Sequence, residues 1–140
     1  YYGIESNVEL IGRLSPEKIS ELLQKSRAFV QHSIEALDGD SEGTPVIILE
    51  VGAQGVPVIS TRHGGISEVI IHGKTGLLGP ERDVDQMALF MIELLKDSDA
   101  AYKMGSNARE HVRSNFHITI GIRKLTAIIE KCLNPNQNEH

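Results

Sequence analysis

The sequence contains a single cysteine, Cys132, so an internal disulfide is excluded. A lone thiol fits a reducing compartment, and nothing near Cys132 in the sequence suggests a catalytic role, so we interpret it as a buried helix residue. The chain also lacks any apolar run near the roughly 18 residues of a membrane span and does not open with a signal-peptide pattern. We therefore expect no transmembrane segment and a cytoplasmic location, with peripheral contact at the inner face of the membrane left open.

Basic residues are too few and too scattered for a nucleic-acid binder. The chain has 14 Lys and Arg against 19 Asp and Glu, a formal net charge of −5, and its basic residues form no block. Metal-binding patterns are missing too. Asp38, Asp40 and Glu42 alternate, but the glutamate that would complete an EF-hand loop is absent, and no histidine stands in an H-x-x-H or H-E-x-x-H pattern. We expect neither nucleic acid nor a metal ion as a ligand.

The composition supports one ordinary globular domain. A chain of 140 residues can bury roughly two-thirds of its unfolded surface, and 40% hydrophobic with 24% charged residues is typical of a globular protein. Because the chain opens with Tyr-Tyr-Gly rather than Met, we expect it to be a piece of a longer protein. The polar tail at residues 134–140 is expected to be disordered.

Alternating strand and helix signals predict an α/β domain with a parallel sheet. A helix is expected after the cap Ser15, with Ile19, Leu22 and Leu23 on its buried side. The last third is expected to be helical, from a cap at Asp83 to about Leu133. Strands are predicted at residues 8–11, 28–31, 57–60 and 77–78.

The stretch at residues 42–68 contains the main candidate site, and we interpret the rest of the chain around it. Its sequence is EGTPVIILEVGAQGVPVISTRHGGISE. Thr44 is the predicted N-cap of a helix whose first residue is Pro45, and Gly52 and Gly55 are expected to close that helix. A strand and the Gly64-Gly65 loop follow, and the next helix starts after them. Two helix N-termini at one edge of a parallel sheet are a site for anions, phosphates above all.

The motifs of this stretch resemble a known family. E-G-T-P-x4-E, G-x-P-V-I-S-T-x-x-G-G-I-x-E and H-G-x-T-G-L-L resemble the retaining GT-B glycosyltransferases of the glycosyltransferase 4 (group 1) family. HS…DGDSEGTP and STRHGGISE look most like members that build exopolysaccharides and capsules. The similar spacing runs from about Val8 to about Phe116. It implies a Rossmann-like GT-B C-terminal domain over residues 1–133, truncated at its N-terminus. The implied donor is a UDP or GDP sugar, which is a substrate, with no cofactor.

The resemblance assigns roles to the two spaced glutamates and to the loops. Glu42 is implied to lie at the transferred sugar, where it binds hydroxyls and stabilises an oxocarbenium-like transition state. Glu50 is implied to hold the ribose, because two carboxylate oxygens can accept from vicinal hydroxyls. The loops that face the donor's phosphates and sugar contain Gly43, Thr44, Gly64, Gly65 and Ile66.

Other candidate residues keep two interpretations each. Glu68 braces the glycine loop, which we favour, or contacts the sugar. Arg13 and Leu14 match positions that seat the nucleobase in the family. The alternative for Arg13 is a surface charge, and the alternative for Leu14 is plain core packing. His32 and His63, at strand exits, are candidates to line the donor cleft.

Two parts of the family pattern are missing. The acceptor-binding N-terminal domain has no counterpart here, and neither has the basic pair that contacts the donor phosphates. With the usual strand order 3-2-1-4-5-6, two absent strands would separate residues 8–11 from residues 28–31. We expect the donor-binding part of a retaining enzyme that moves a sugar to a glycan or lipid-linked acceptor in polysaccharide biosynthesis. The alternatives are an inactive nucleotide-sugar-binding fragment and a GT-B nucleotide-sugar epimerase.

Overall fold

The fold is a three-stranded parallel sheet with flanking helices. The computed structural model describes residues 3–36, 38–39 and 43–133. Strands β1 (Phe29–Gln31), β2 (Val58–Thr61) and β3 (Gly76–Gly79) lie side by side in chain order. Both pairings are parallel, which confirms the predicted α/β class.

In the described part of the chain, six α-helices precede, connect and follow the strands, after a short 3-10 helix at Glu5–Asn7. Two predicted caps are confirmed, because the Ser15 side chain accepts from the Lys18 N–H and the Asp83 side chain accepts from the Gln86 N–H. None of the helices in the described part of the chain is both long and apolar enough to cross a membrane. The helices are α1 (Pro16–Lys25), α2 (Val46–Gln54), α3 (Ile66–Val69), α4 (Val84–Lys96), α5 (Ser98–Asn115) and α6 (Ile118–Leu133).

The core divides into two clusters, one on each face of the sheet. Val58 and Leu78 pack with buried residues of α1, α2 and α3. Their chain neighbours Ile59 and Leu77 pack with Leu94 of α4 and with residues of α5. Successive side chains of a strand point to opposite faces, so these strands are buried on both sides, as parallel strands between helices should be.

The predicted strand at residues 8–11 is not a strand. These residues lie outside the sheet, and the Leu10 side chain is 94% exposed. An apolar run forms a strand only where a neighbour pairs with its backbone groups, and β1 is the edge of the described sheet. In the described part of the chain no strand lies beside this run, so it has nothing to pair with.

The start of α2 differs from the prediction, and so does the place of one of the two glycines expected to close it. Pro45, with extended backbone angles, is the N-cap in place of Thr44, and the cap makes no side-chain hydrogen bond. Gly55, in the left-handed conformation, ends the helix as predicted. Gly52 instead lies inside α2, where a Cβ atom would approach Val112 Cγ2 to 3.0 Å. Its lack of a side chain therefore serves close packing against α5.

Three predicted core positions are on the surface. On α1 only Leu23 is buried, while Ile19 and Leu22 are exposed. Cys132 is exposed as well. It lies on α6, a surface helix on which only Ile120 is even partly buried. Helical spacing predicts which residues share a face, but not whether another element covers that face.

Candidate active site

Two helix starts lie side by side at the carboxyl edge of the sheet. β2 ends at Thr61 and leads through the glycine turn into α3, while residues 43–45 lead into α2. The Gly65 N–H donates to the Gly43 carbonyl oxygen at 3.0 Å, so the two loops are in direct contact. This is the arrangement that the sequence predicts for an anion site.

The hydrogen bonds of the glycine turn decide which amides can face an anion. The N–H of Gly65 is bonded to Gly43, and the N–H of Ile66 donates to the His63 carbonyl oxygen at 3.0 Å. Among the described residues, no acceptor binds the N–H groups of Gly64 and Ser67 at this turn, or those of Val46 and Ile47 at the start of α2. These four amides are the unbonded donors that the two helix starts offer to an anion.

The contact between the two loops depends on glycine at position 65. A Cβ atom there would overlap Thr44 Oγ1 and approach Thr44 Cβ to 3.3 Å. Thr44 is β-branched, so its side chain has few alternative rotamers. Any larger residue would therefore push the two helix starts apart.

We expect Gly65→Ala to weaken donor binding about tenfold. It disrupts the hydrogen bond to Gly43, worth about 0.5–1.5 kcal/mol, and moves the amides that are predicted to face the donor's phosphates. A loss of about 1.4 kcal/mol corresponds to a tenfold loss of affinity. Calorimetric titration with the nucleotide measures the effect. Gly121→Ala is the control, because a Cβ atom on Gly121 meets nothing within 4 Å. Equal nucleotide affinity of the Gly65→Ala variant and this control would contradict the assignment of the joined loops to donor binding.

The predicted glutamates differ in what the structure shows of them. Glu42 lies outside the described residues, so its role stays a prediction. Glu50 is exposed in the second turn of α2. Glu68 is exposed in the first turn of α3, where the sequence places it. The roles of Glu50 and Glu68 also stay predictions.

The remaining predicted residues divide between loop and core. Gly43, Thr44, Gly64 and Gly65 form the joined loops. Ile66 is fully buried, and its side chain packs in the core next to α2, so only its backbone belongs to the turn. Arg13 is exposed and Leu14 half-buried in the segment before α1. In the described ranges, no group of three His, Cys, Asp or Glu residues could hold a metal ion.

The sequence does not predict one pair of side chains at this edge, His63 and Glu81. The His63 side chain is buried, and its Nδ1 lies 2.6 Å from Glu81 Oε1. Glu81 Oε2 also accepts from the Glu35 N–H at 3.0 Å. The sequence marks Gly79-Pro80 only as the end of a strand. A histidine and an acid that meet across two strand exits leave no local signal in the sequence.

The Glu81 pair predicts a dependence of stability on acid pH. Hydrogen bonds from His63 and then from the Glu35 backbone hold the pKa of Glu81 below its ordinary value of 4.5. The unfolded chain therefore binds this proton more tightly, and the contribution of Glu81 is present above pH 4.5 and lost as the pH falls below it. We expect the free energy of unfolding to fall less for Glu81→Gln than for the parent between about pH 6 and pH 3. Urea titrations at each pH provide the measurement, and parallel curves would contradict the expectation.

Comparison with known proteins gives a consistent family and fold. The family model described as "Glycosyl transferases group 1" matches residues 1–111. The amylovoran biosynthesis glycosyltransferase AmsK of Erwinia amylovora is 35% identical over 128 residues, which are 91% of this chain and 31% of that protein. The putative colanic acid biosynthesis glycosyltransferase WcaL of Salmonella typhimurium is 34% identical over 130 residues, 92% of this chain and 32% of that protein.

A solved structure shares the fold. The crystal structure of Anabaena HepE in complex with UDP-glucose matches with a TM-score of 0.76 at 22% identity, covering 91% of this chain and 34% of that one. The chain therefore spans about a third of the length of the proteins that it matches.

Proposed function

The chain belongs to the group 1 glycosyl transferases, and on that premise we propose that it is the donor-binding part of a retaining glycosyltransferase. The full enzyme moves a sugar from a nucleotide-diphosphate sugar to a glycan or lipid-linked acceptor in polysaccharide biosynthesis. The names of AmsK and WcaL, which refer to amylovoran and colanic acid biosynthesis, support a role in polysaccharide biosynthesis. The acceptor is bound by a separate N-terminal domain, and the enzyme works in the cytoplasm or at the inner face of the membrane.

The observation that carries this proposal is the contact between the two helix starts. The bond from Gly65 to Gly43 places the start of α2 next to the turn before α3. The unbonded amides of Val46, Ile47, Gly64 and Ser67 lie at these two starts. Positive helix ends and backbone N–H groups suit a diphosphate. Binding of this kind needs no metal ion and no excess of basic residues.

We propose a UDP sugar as the first candidate donor and a GDP sugar as the second. The UDP-glucose complex of HepE, which shares the fold, supports the uridine nucleotide. Glu50 holds the ribose, and Arg13 and Leu14 seat the base largely through their backbone. Glu68 braces the glycine loop from the first turn of α3.

The chemistry follows from the residues assigned to the sugar and the phosphates. Glu42 faces the positive charge that develops at the anomeric carbon, and the amides stabilise the departing diphosphate. Among the described residues of the two loops, none is a convincing nucleophile. Displacement on one face of the sugar, without a covalent intermediate, is therefore the favoured route to retention.

Transfer of a radiolabelled sugar by the full-length enzyme tests the proposal. The enzyme is incubated with UDP-glucose or GDP-mannose, with and without membranes of its source as acceptor. We expect donor-dependent label in glycan or lipid only when acceptor is present. The 140-residue chain alone should transfer nothing, because it spans only about a third of the length of its relatives. Release of free sugar and nucleotide at an equal rate without acceptor would favour the epimerase alternative.

A further inference from the structure

The turn that follows β2 contains a glycine whose amide the proposed function uses but whose position it does not explain. Among the described residues, no acceptor binds the N–H of Gly64. Gly64 has a φ of 45°, in the left-handed region that glycine enters easily, and glycine is also the residue with the most conformational freedom to lose. An amide binds an anion well only if its direction is fixed before the anion arrives. The residues on either side of Gly64 must therefore hold it.

Both neighbours of Gly64 are held by hydrogen bonds. On one side, the Gly65 N–H donates to the Gly43 carbonyl oxygen at 3.0 Å. On the other side, the carbonyl oxygen of His63 accepts from the Ile66 N–H, also at 3.0 Å. That second bond lies within the turn itself, and the His63 side chain supplies a contact with a distant residue.

The buried His63 side chain is attached to Glu81, which lies just beyond β3. Nδ1 of His63 lies 2.6 Å from Glu81 Oε1, and Oε2 accepts from the Glu35 N–H at 3.0 Å. The bond from His63 and then the bond from the Glu35 backbone lower the pKa of the Glu81 carboxyl, so at neutral pH it is ionised and can only accept. Nδ1 of His63 therefore carries the proton. Hydrogen bonds to an ionised acceptor are shorter and stronger than bonds between neutral groups, which suits a contact that fixes the turn.

The backbone around Glu81 is itself restrained. Pro80, directly before it, has a fixed φ, and Arg82, directly after it, has a φ of 64°. This left-handed conformation is unfavourable for a residue with a side chain and persists only where the surroundings hold it. The Arg82 guanidinium donates to the Glu35 carbonyl oxygen at 3.2 Å, so the segment is bonded to the loop that leaves β1. Glu81 is therefore a firm attachment point for the His63 side chain.

We propose that His63 and Glu81 are positioning residues of the donor site, which hold the turn after β2 so that the Gly64 N–H points at the donor's diphosphate. This inference rests on the proposed function. His63 adjoins Gly64 in the chain, so a shift of its side chain moves the neighbouring amide. The pair contributes to the binding of the phosphates and not to the binding of the base or the ribose, whose proposed contacts lie before α1 and on α2.

Inhibition of the full-length enzyme by a nucleoside diphosphate and by the corresponding nucleoside tests the proposal. The probes are UDP and uridine, or GDP and guanosine if the enzyme uses a GDP sugar. We expect Glu81→Ala to raise the inhibition constant of the diphosphate about tenfold, or about 1.4 kcal/mol, and that of the nucleoside less than about twofold. General damage to the fold would weaken both inhibitors alike. An equal loss for the two inhibitors, or no loss for either, would overturn the proposal.

Two conservative variants separate positioning from direct contact with the donor. Glu81→Gln can keep both bonds, because its amide oxygen can accept from the Glu35 N–H and its amide nitrogen can donate to Nδ1 of the other histidine tautomer. His63→Asn places an amide N–H near the position of Nδ1 and can keep the bond to Glu81. Both variants should bind the diphosphate within about threefold of the parent, whereas His63→Ala should resemble Glu81→Ala. If His63→Asn lost as much affinity as His63→Ala, the imidazole itself would bind the donor, and the proposal would be wrong.

Glu21→Ala is the matched control. It removes an acid with an ion pair of its own, to Lys18 at 2.8 Å, but that pair is exposed on α1, and both inhibition constants should stay at parent values. Amide hydrogen exchange without nucleotide gives a second readout. The Ile66 N–H, which donates to the His63 carbonyl oxygen, should exchange faster in Glu81→Ala than in the control, while the amides of α5 keep parent rates. Equal exchange of the Ile66 N–H would overturn the proposal. Failure of the proposed function is separate, since in that case neither inhibitor binds the parent enzyme.

Discussion

Glu42→Gln should lower kcat of the full-length enzyme on the order of a hundredfold or more and leave the donor KM nearly unchanged. The substitution removes the negative charge that we propose to face the positive charge developing at the anomeric carbon. An electrostatic contact of this kind is worth roughly 3–4 kcal/mol. It is made chiefly in the transition state, so its loss affects the rate more than binding.

Glu50→Gln is the matched comparison, because it makes the same change at the other glutamate of the motif. Ribose contacts are alike in the ground and transition states, so this variant should mainly raise the donor KM. Loss of a charged hydrogen bond there costs about 1.5–3 kcal/mol. Steady-state kinetics on both variants provide the test. If Glu42→Gln changed only KM and Glu50→Gln abolished turnover, the two roles would be reversed.

Gly105→Ala should destabilise the fold by about 2 kcal/mol, as the difference of two effects. A Cβ atom on Gly105 would overlap the Gly55 carbonyl oxygen, approach the carbonyl carbon to 2.8 Å and approach Pro57 Cδ to 3.1 Å. Backbone atoms cannot rotate away, so the cost lies at or above the upper end of the usual 1–3 kcal/mol for overpacking, or about 3 kcal/mol. Replacing a helical glycine returns about 1 kcal/mol.

The same substitution at Gly121 should stabilise the protein rather than destabilise it. Gly121 lies in α6, and a Cβ atom there meets nothing within 4 Å. Only the gain in helix propensity remains, so Gly121→Ala should stabilise the protein by about 0.5–1 kcal/mol. Urea denaturation compares the two variants with the parent. Equal effects at the two positions would show that helix propensity, not the contact with Gly55, determines the result.

Local signals in the sequence predicted most of the architecture. Ser15 and Asp83 cap helices as expected, and Gly55 ends α2 in the left-handed conformation that favours glycine. The order of strands and helices from residue 15 onward is also confirmed. These features depend on a few neighbouring residues, which is why the sequence alone shows them.

Features that depend on distant partners could not be predicted in the same way. Within the described residues, 8–11 have the composition of a strand but no neighbour in the sheet, and Cys132 has helical spacing but is exposed. The pairing of His63 with Glu81 joins two turns separated by a strand. In each case, contacts between distant parts of the chain determine the structure, and the local sequence pattern does not predict them.

Hydrogen exchange of the full-length enzyme with and without nucleotide tests the central claim most directly. The nucleotide is UDP or GDP, whichever the enzyme uses as donor. We expect slower exchange in residues 43–50 and 62–68, including the amides of Val46, Ile47, Gly64 and Ser67, and no change in α5 or α6. Protection confined to α5 and α6, with none at residues 43–50 and 62–68, would contradict the placement of the donor between the two helix starts.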